Sequence, residues 1–209
     1  MSRITIVDYG MGNLASVQKA LGHLGFESFL SQRAEDIEVA ERLILPGVGA
    51  FGAAITNLER MGLVEPLRDY CASGRPFLGI CLGMQLLMTE SNELGHWKGL
   101  DIIPGRVRRF FEDAPAPPDI KVPHVGWNTL DIRWRDGIFR SAGEAPSVYF
   151  VHSYYVVPED DSVTSATCTH GETFCASLQQ GNIFATQFHP EKSGSVGLSL
   201  LAEFARWQT

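Results

Sequence analysis

Short apolar runs alternate with helix-spaced segments through the first half of this sequence, and that alternation is its strongest constraint on the fold. The apolar runs that predict strands are Ile4–Val7, Phe26–Leu30, Leu43–Leu45 and Phe77–Ile80. The intervening helical patterns cover residues 14–24, 34–40, 50–60 and 64–73, and a further helix is predicted from Leu82 to about Glu90. Strands and helices that alternate at this pitch predict a parallel sheet covered by helices on both faces.

The second half of the sequence is mostly strand-like. We predict strands near residues 106–111, 129–134, 148–151, 154–157, 165–169, 174–178 and 183–186, and a final helix over 196–207. The turns His170-Gly171-Glu172 and Gln180-Gly181-Asn182 indicate hairpins. The prediction is therefore one α/β domain over residues 1–209, with an open, mainly parallel sheet flanked by helices and an antiparallel β extension.

Composition excludes several function classes. The 17 basic and 24 acidic side chains among 209 residues give a net charge of −7, which argues against a nucleic-acid partner. The longest apolar stretch, Phe77 to Met88, is interrupted by glycines and too short to cross a bilayer, and the N-terminus lacks a signal-peptide pattern. The four scattered cysteines form no Cys-x-x-Cys pair, so we expect a cytoplasmic protein without disulfides. No spacing of ligand residues indicates a metal, and we expect no cofactor.

Cys81 is the leading candidate for a nucleophile. The segment Gly79-Ile80-Cys81-Leu82-Gly83 follows an apolar strand and opens a predicted helix, which is the Gly-x-nucleophile-x-Gly arrangement of a strained strand-to-helix turn. Such a turn presents its side chain at the carboxyl edge of the sheet, where open α/β sheets bind ligands. The helix N-terminus also favours the thiolate, which is the reactive form.

A base for Cys81 and a group that orients the base are both found in His189-Pro190-Glu191. Pro190 cannot continue a helix, and in an extended segment residues i and i+2 project to the same side. We therefore predict that His189 and Glu191 lie side by side. For the other histidines we expect structural roles in His124 and His152 and surface positions in His23, His96 and His170.

Cys81 in its elbow, together with His189-Pro190-Glu191, resembles the class I (triad) glutamine amidotransferases. Within that family, the following segments are similar to those of the glutaminase subunits of imidazole glycerol phosphate synthase: Asp8–Asn13, Leu45–Phe51, Gly79–Leu87, Pro123–Asn128, Tyr149–Tyr154 and Gln187–Gly194. The resemblance implies hydrolysis of the glutamine side-chain amide through a Cys81 γ-glutamyl thioester, with His189 as acid and base and Glu191 orienting it.

The resemblance also implies roles for residues around the nucleophile. The oxyanion would be bound by the N–H of Leu82, next after Cys81, and by an N–H at or near Val48, whose flanking glycines permit a peptide rotation. The substrate L-glutamine would be bound by Gly49, Gln85, Glu93 and backbone groups near Ser153. Gln85 lies one helical turn from Cys81, and Glu93 would pair with the α-ammonium group.

A partner follows from the same resemblance. The chain has room for a glutaminase but for no synthase domain that would use the ammonia. The implied partner is the (β/α)8-barrel cyclase subunit, in a heterodimer that makes imidazole glycerol phosphate and AICAR from PRFAR in histidine biosynthesis. By the same comparison Asn13, Trp127, Tyr149 and Lys192 would lie at the docking face.

Other functions remain open at this level. The chain could serve a synthase for anthranilate, aminodeoxychorismate or pyridoxal phosphate, or act alone as a γ-glutamyl peptidase. The run Gly10-x-Gly12-x-x-Ala15 after a strand matches a dinucleotide-binding pattern, and Arg33 past the second strand would suggest an NADP-dependent oxidoreductase. A catalytically dead regulatory subunit is disfavoured because each triad position is filled.

Overall fold

The alternating apolar runs of the first half lie side by side in one sheet of the computed structural model, which describes residues 3–208. Met1, Ser2 and Thr209, the ends of the domain predicted over 1–209, lie outside the described residues. The elements of this half are β1 (Ile4–Val7), α1 (Leu14–His23), β2 (Ser28–Ser31), α2 (Ala34–Glu38), β3 (Arg42–Gly47), α3 (Phe51–Arg60), α4 (Val64–Ala72), β4 (Phe77–Cys81) and α5 (Leu82–Gln85).

The second half is rich in strands, as predicted. Its elements are β5 (Glu90–Ser91), β6 (Trp97–Lys98), β7 (Gly105–Arg109), β8 (His124–Thr129), β9 (Asp131–Ile132), β10 (Ser147–His152), β11 (Tyr154–Pro158), β12 (Thr164–His170), β13 (Glu172–Gln180), β14 (Ile183–Thr186) and α6 (Gly194–Arg206). Three 3₁₀ turns cover Gly137–Phe139, Asp161–Val163 and Pro190–Lys192.

The main sheet has eight strands in the order β2-β1-β3-β4-β14-β13-β12-β9. The strands from β2 to β14 pair in parallel, and β13, β12 and β9 extend the sheet in antiparallel pairing. Two smaller sheets, β10-β8 and β11-β7-β5-β6, complete the fold. The predicted fold class, a single α/β domain with a mainly parallel sheet and an antiparallel extension, is confirmed.

Both faces of the parallel strands are buried, which explains why they read as continuous apolar runs. On β3, Leu45 packs with the α3 and α4 side of the molecule, whereas Ile44 packs on the opposite side with Leu201 and Phe204 of α6. Successive strand residues point to opposite faces, so a strand covered by helices on both sides needs apolar residues at each position. This burial holds the central strands, and the loops at their ends, in fixed register.

The helix predicted from Leu82 to about Glu90 is wrong in length. The α-helix ends at Gln85, and Glu90–Ser91 is a short strand. The carbonyl of Leu86 accepts a hydrogen bond from the N–H of Leu100, and the carbonyls of the two following residues are likewise taken by the segment 101–103. Because distant backbone donors bind these carbonyls, the helix does not need to continue in order to satisfy them.

The strand predicted over 129–134 is also wrong. The structure instead has a strand over His124–Thr129, which pairs along its whole length with β10, and a two-residue strand at Asp131–Ile132. Gly126 and Asn128 have low strand propensity, so local signals place this strand too late in the chain. Pairing with β10, which is separated in sequence, decides its position.

Candidate active site

Cys81 lies at the turn from β4 into α5 with backbone angles φ 55° and ψ −107°, a strained conformation for a residue with a side chain. The glycines around it leave the space that this turn needs. A Cβ on Gly83 would overlap the carbonyl oxygen of Leu45, and one on Gly79 would lie 2.9 Å from the carbonyl oxygen of Gly83. The elbow predicted from the Gly-x-Cys-x-Gly spacing is therefore present, and it depends on both glycines.

The sheet topology brings the other predicted residues to this edge. Gly47, at the end of β3, pairs with Cys81, and β14 pairs in parallel with β4 up to Thr186 and Ile80. The chain that leaves β14 therefore emerges beside the elbow and carries His189 there. Parallel strands that end at one edge place residues distant in sequence in one site.

His189 and Glu191 form a buried pair, with 2.8 Å between Nδ1 and Oε1 and side-chain exposures of 2% and 1%. The extended conformation expected across both residues is wrong, because Pro190–Lys192 forms a 3₁₀ turn and only His189 is extended. Proline starts such a turn readily, since its missing N–H needs no acceptor there. The turn, rather than strand alternation, brings the carboxylate beneath the imidazole.

The ionisation of His189 is set by its two acidic neighbours. Burial by itself lowers the pKa of this imidazole, but interaction with the Cys81 sulfur and the Glu191 carboxylate outweighs burial and raises the pKa to about 10. Because a cationic imidazole beside a sulfur favours the thiolate, the arrangement suits a nucleophilic cysteine. Among residues 3–208 no hydrogen-bond partner occupies His189 Nε2.

The other three cysteines have no such setting. Burial raises the pKa of each thiol, in Cys71, Cys168 and Cys175, to about 12. None of them forms a disulfide. A thiol that stays protonated is a poor nucleophile, so these side chains act as core residues.

A cavity of about 420 Å³ opens over Cys81. It is lined by Val48, Gly49, Cys81, Leu82, Gln85, Glu93, Pro123, Val151, His152, Ser153, Tyr154 and His189. The structure thus brings the predicted oxyanion and substrate-binding residues to one cavity with the nucleophile and base, while Glu191 lies behind His189. Gly49 has φ 101°, a conformation open to glycine, and Leu82 is the first residue of α5, where helix N–H groups lack intrahelical acceptors.

Glu93 enters the cavity from the turn that follows β5. One of its carboxylate oxygens accepts a hydrogen bond of 2.6 Å from the N–H of Phe51 at the start of α3. Burial raises the pKa of Glu93, and the hydrogen bond from Phe51 partly opposes this shift. Within residues 3–208 the second carboxylate oxygen of Glu93 has no hydrogen-bond partner, so it is available to a cationic group in the cavity.

Two buried polar side chains, Gln187 and Gln85, lie near the nucleophile. The sequence predicts no role for Gln187 and only substrate binding for Gln85. Gln187 is fully buried, and its Nε2 lies 3.6 Å from Cys81 Sγ. Gln85 donates from Nε2 to the carbonyl oxygen of Tyr154 at 3.0 Å and to Oε1 of Gln187 at 3.1 Å. The signal that could have found Gln187 is its place two residues before His189, at the point where β14 leaves the sheet.

The histidine assignments are partly wrong. His170 is half-buried rather than on the surface, and its ring stacks on that of His124 at 4.1 Å between centroids. His124 and His152 are buried and bonded to each other, with 3.2 Å between Nδ1 and Nε2. Burial and, to a lesser extent, neighbouring histidines lower the pKa of His124 to about 4 and that of His152 to about 3. Both rings are therefore neutral near pH 7.

Two of the four residues expected at a docking face, Trp127 and Tyr149, lie on the paired strands β8 and β10, and Val151 of β10 lines the cavity. Trp127 of β8 is 57% exposed and faces Tyr149 of β10, with ring centroids 6.2 Å apart. Val125 and Val151 are a second exposed cross-strand pair on the same face. We call these four residues the β8–β10 face. Lys192 ends the 3₁₀ turn after His189, and Asn13 precedes α1.

The glycine pattern that suggested a dinucleotide is a tight turn already occupied by an acid. The Asp8 carboxylate accepts hydrogen bonds from the N–H of Gly10 at 3.1 Å and from Gln32 at 2.7 Å. Arg33 pairs with Glu35. The N–H of Gly10, which would have to bind a pyrophosphate, already donates to the negatively charged Asp8 carboxylate. This geometry therefore argues against a nucleotide site.

Residues 3–208 lack two features that would indicate metal or membrane binding. Within this range no group of three or more His, Cys, Asp or Glu side chains is arranged to hold a metal ion. None of the helices described in it has the length and apolar character needed to span a bilayer.

Several known proteins are similar to this chain. The family described as Glutamine amidotransferase class-I matches residues 5–206. The imidazole glycerol phosphate synthase subunit HisH of Geobacter sulfurreducens is 52% identical over 205 residues, 98% of each chain, and that of Syntrophotalea carbinolica is 54% identical over 202 residues, covering 96% of this chain and 98% of the relative.

Two further similarities complete the comparison. The Arabidopsis thaliana protein imidazole glycerol phosphate synthase hisHF, chloroplastic, is 51% identical over 97% of this chain, which spans 34% of that protein. The structure of PurLQS from Thermotoga maritima has a TM-score of 0.75 at 19% identity, with 98% of both chains covered, and shares the fold. This chain therefore belongs to the class I glutamine amidotransferase family and, within it, to the HisH subunits of imidazole glycerol phosphate synthase.

Proposed function

We propose that this chain is the glutaminase subunit of an imidazole glycerol phosphate synthase, which hydrolyses L-glutamine to glutamate and ammonia. The observation that carries the proposal is the strained Cys81 elbow, opening into a cavity beside the buried His189–Glu191 pair. The HisH relatives support this synthase over those for anthranilate, aminodeoxychorismate or pyridoxal phosphate. We place the reaction in the cytoplasm, where four unpaired cysteines stay reduced.

The reaction begins with attack of the Cys81 thiolate on the side-chain carbonyl carbon of glutamine. The resulting oxyanion accepts hydrogen bonds from the N–H groups of Leu82 and Val48, and such donors commonly contribute about 3 kcal/mol to the transition state. His189 donates its proton to the departing ammonia, which leaves a γ-glutamyl thioester on Cys81. His189 then removes a proton from the attacking water, and glutamate is released. Glu191 holds Nδ1–H throughout and stabilises the cationic imidazole.

Glutamine is oriented by the polar groups at the cavity wall. Both N–H bonds of the Gln85 amide are taken by carbonyl oxygens, so its Oε1 is the atom available to the substrate and accepts from the α-ammonium group. The free oxygen of Glu93 supplies the negative charge for the same group. Backbone groups at Gly49 and Ser153 bind the remaining polar atoms, including the α-carboxylate.

Ammonia is consumed by a separate chain. The partner is the (β/α)8-barrel cyclase subunit, which uses ammonia to form imidazole glycerol phosphate and AICAR from PRFAR. The β8–β10 face is an exposed apolar surface beside the cavity, and Trp127 and Tyr149 on it, together with Asn13 and Lys192, form the docking contacts. The carbonyl oxygen of Tyr149 accepts a hydrogen bond from the backbone N–H of His189, so this face is bonded directly to the catalytic segment.

The decisive experiment replaces the nucleophile. Cys81→Ala abolishes glutamine-dependent synthesis of imidazole glycerol phosphate by the reconstituted complex, whereas synthesis from added ammonium salts continues, because the cyclase and the docking surface are intact. Cys71→Ala is the matched control and retains glutamine-dependent activity. Glutamate release by Cys81→Ala would show that the nucleophile is assigned wrongly. High glutaminase activity of the chain alone, unchanged by cyclase and nucleotide, would favour a γ-glutamyl peptidase.

A further inference from the structure

An amide side chain that the proposed mechanism does not use lies beside the Cys81 sulfur. Gln187 is 0% exposed, and its backbone N–H is bound to the carbonyl oxygen of Ala176 at 2.8 Å. Its Nε2 lies 3.6 Å from Cys81 Sγ, within hydrogen-bond distance for sulfur. A buried amide fixed at both its backbone and its side chain acts on the thiol with a defined geometry.

The direction of this hydrogen bond is determined by a backbone carbonyl. The carbonyl oxygen of Tyr154 only accepts, so the end of the Gln85 amide that faces it is the N–H₂ group. The same N–H₂ group faces the Gln187 amide, which must therefore present its oxygen to Gln85. The remaining end of Gln187, its N–H₂ group, faces Cys81 Sγ. The amide is a donor to sulfur and has no freedom to turn round.

The chain of hydrogen bonds continues away from the nucleophile. His152 Nδ1–H donates to the same Tyr154 carbonyl oxygen at 2.8 Å, so Nε2 of this neutral ring accepts from His124 Nδ1–H. His124 Nε2 accepts in turn from the amide of Asn128 at 3.3 Å, and the carbonyl oxygen of Thr169 fixes the Asn128 amide at 2.9 Å. This second part of the chain is thus anchored by a backbone carbonyl oxygen at each end.

We propose that Gln187 is a further catalytic residue of the glutaminase site, whose amide N–H donates a hydrogen bond to the Cys81 sulfur and stabilises its thiolate. The inference rests on the proposed function and adds a donor to it. A hydrogen bond to a charged acceptor is stronger than one between neutral groups, so this contact favours the thiolate over the thiol. It also holds the sulfur toward the cavity before glutamine binds.

Other ionisable groups act on the same sulfur and must be held constant in any test. The imidazole of His189, with Glu191 behind it, supplies positive charge. The Tyr9 hydroxyl is buried nearby and stays protonated because burial raises its pKa. His152 lines the cavity as a neutral ring. Substitution of Gln187 leaves all four groups in place.

The test measures the thiolate itself rather than turnover. In the full chain without glutamine, alkylation of Cys81 by iodoacetamide is followed by peptide mass spectrometry across a pH series. We expect Gln187→Met, of similar volume, to require a pH higher by about half a unit to one unit for half-maximal alkylation, a threefold to tenfold loss of thiolate at a given pH. Gln187→Glu, which places a carboxylate against the sulfur, shifts the profile further in the same direction.

Gln180→Glu is the matched control, because Gln180 is exposed and ends β13 at the opposite edge of the sheet from Cys81. We expect its alkylation profile to match that of the unmodified chain. An unchanged profile in Gln187→Met would overturn the inference while glutamate release by the unmodified complex still supported the glutaminase. If iodoacetamide did not alkylate Cys81 in the unmodified chain, that result would instead count against the proposed function.

A measurement without substitution covers the case in which the Gln187 variants do not fold. In the unmodified chain, the side-chain ¹⁵N–¹H₂ signals of Gln187 should shift as Cys81 titrates, and those of Gln180 should not. Gln187 signals that stay constant through the Cys81 titration would overturn the inference equally.

Discussion

Acid should destabilise this protein through two buried histidines. His124 and His152 are 4% and 6% exposed, and burial lowers their pKa values from 6.5 to about 4 and about 3. Below pH 6.5 these two histidines bind protons in the unfolded chain but not in the folded protein, so the free energy of unfolding falls as the pH falls. A pH of about 5 is about 1.5 units below the pKa of a histidine in the unfolded chain, and each unit corresponds to about 1.36 kcal/mol. Each histidine therefore lowers the free energy of unfolding by about 2 kcal/mol at this pH.

The substitution that isolates this effect is His124→Gln, which removes one of the two titrations and retains a polar side chain. Between about pH 7.5 and about pH 5 the pair lowers the free energy of unfolding of the unmodified protein by about 4 kcal/mol, and the variant retains about half of that loss. Urea unfolding at a series of pH values measures the difference. His23→Gln, at an exposed histidine in α1, is the control and should follow the unmodified protein.

Other titratable groups do not produce this difference in pH dependence between the unmodified protein and His124→Gln. The pKa of His189 is raised to about 10, so its contribution to stability is complete below pH 6.5 and is lost only as the pH rises through about 10. The raised pKa of Glu93 acts with the opposite sign to the two histidines, but equally in both proteins, and cancels in the comparison. Parallel pH profiles for the unmodified protein and His124→Gln would refute the assignment of a neutral, buried His124.

Two further predictions concern packing and are checked by urea unfolding. Gly83→Ala should cost more than about 3 kcal/mol, since its Cβ would overlap the carbonyl oxygen of Leu45, whereas Gly22→Ala, in a helix with open space around it, should stabilise by up to about 1 kcal/mol. Tyr9→Phe should raise stability by about 1 kcal/mol because its buried hydroxyl has no hydrogen-bond partner within residues 3–208, whereas Tyr70→Phe, which loses a buried hydrogen bond, should lower it by a similar amount. Equal effects of the two tyrosine substitutions, or of the two glycine substitutions, would contradict the reasoning.

The sequence predicts structure most accurately where a local pattern corresponds to a local structure. The run of Phe77 to Ile80 followed by Gly-x-Cys-x-Gly predicts both a buried strand and the turn at its end, because strand burial and glycine clearance are expressed within a few adjacent residues. The spacing of His189 and Glu191 likewise predicts that they lie side by side, although it does not predict the 3₁₀ turn that joins them. Element boundaries failed where backbone groups find distant partners, as at the end of α5.

The role of Gln187 and the neutral state of the two buried histidines could not be predicted from the sequence, because both depend on contacts between residues far apart in the chain. Gln187 meets the Cys81 sulfur across 106 positions, and His124 meets His152 across 28. The residues adjacent to either histidine in sequence do not indicate that it is neutral. Its low pKa comes from burial, which results from the pairing of β8 with β10 and from packing against the ring of Phe110. Such a network becomes visible only once the strands are paired.

The sequence by itself determined the alternation of strands and helices, the strained elbow at Cys81 and the family to which these motifs are similar, since each is written in periodicity or in a few adjacent residues. The tertiary structure decided which distant groups face the nucleophile. Insertion of β14 between β4 and β13 carries Gln187 and His189 to the elbow. The Tyr154 carbonyl sets the direction of the hydrogen bonds that meet at it. Hydrogen-bond polarity is a property of groups in contact, and only folding makes those contacts.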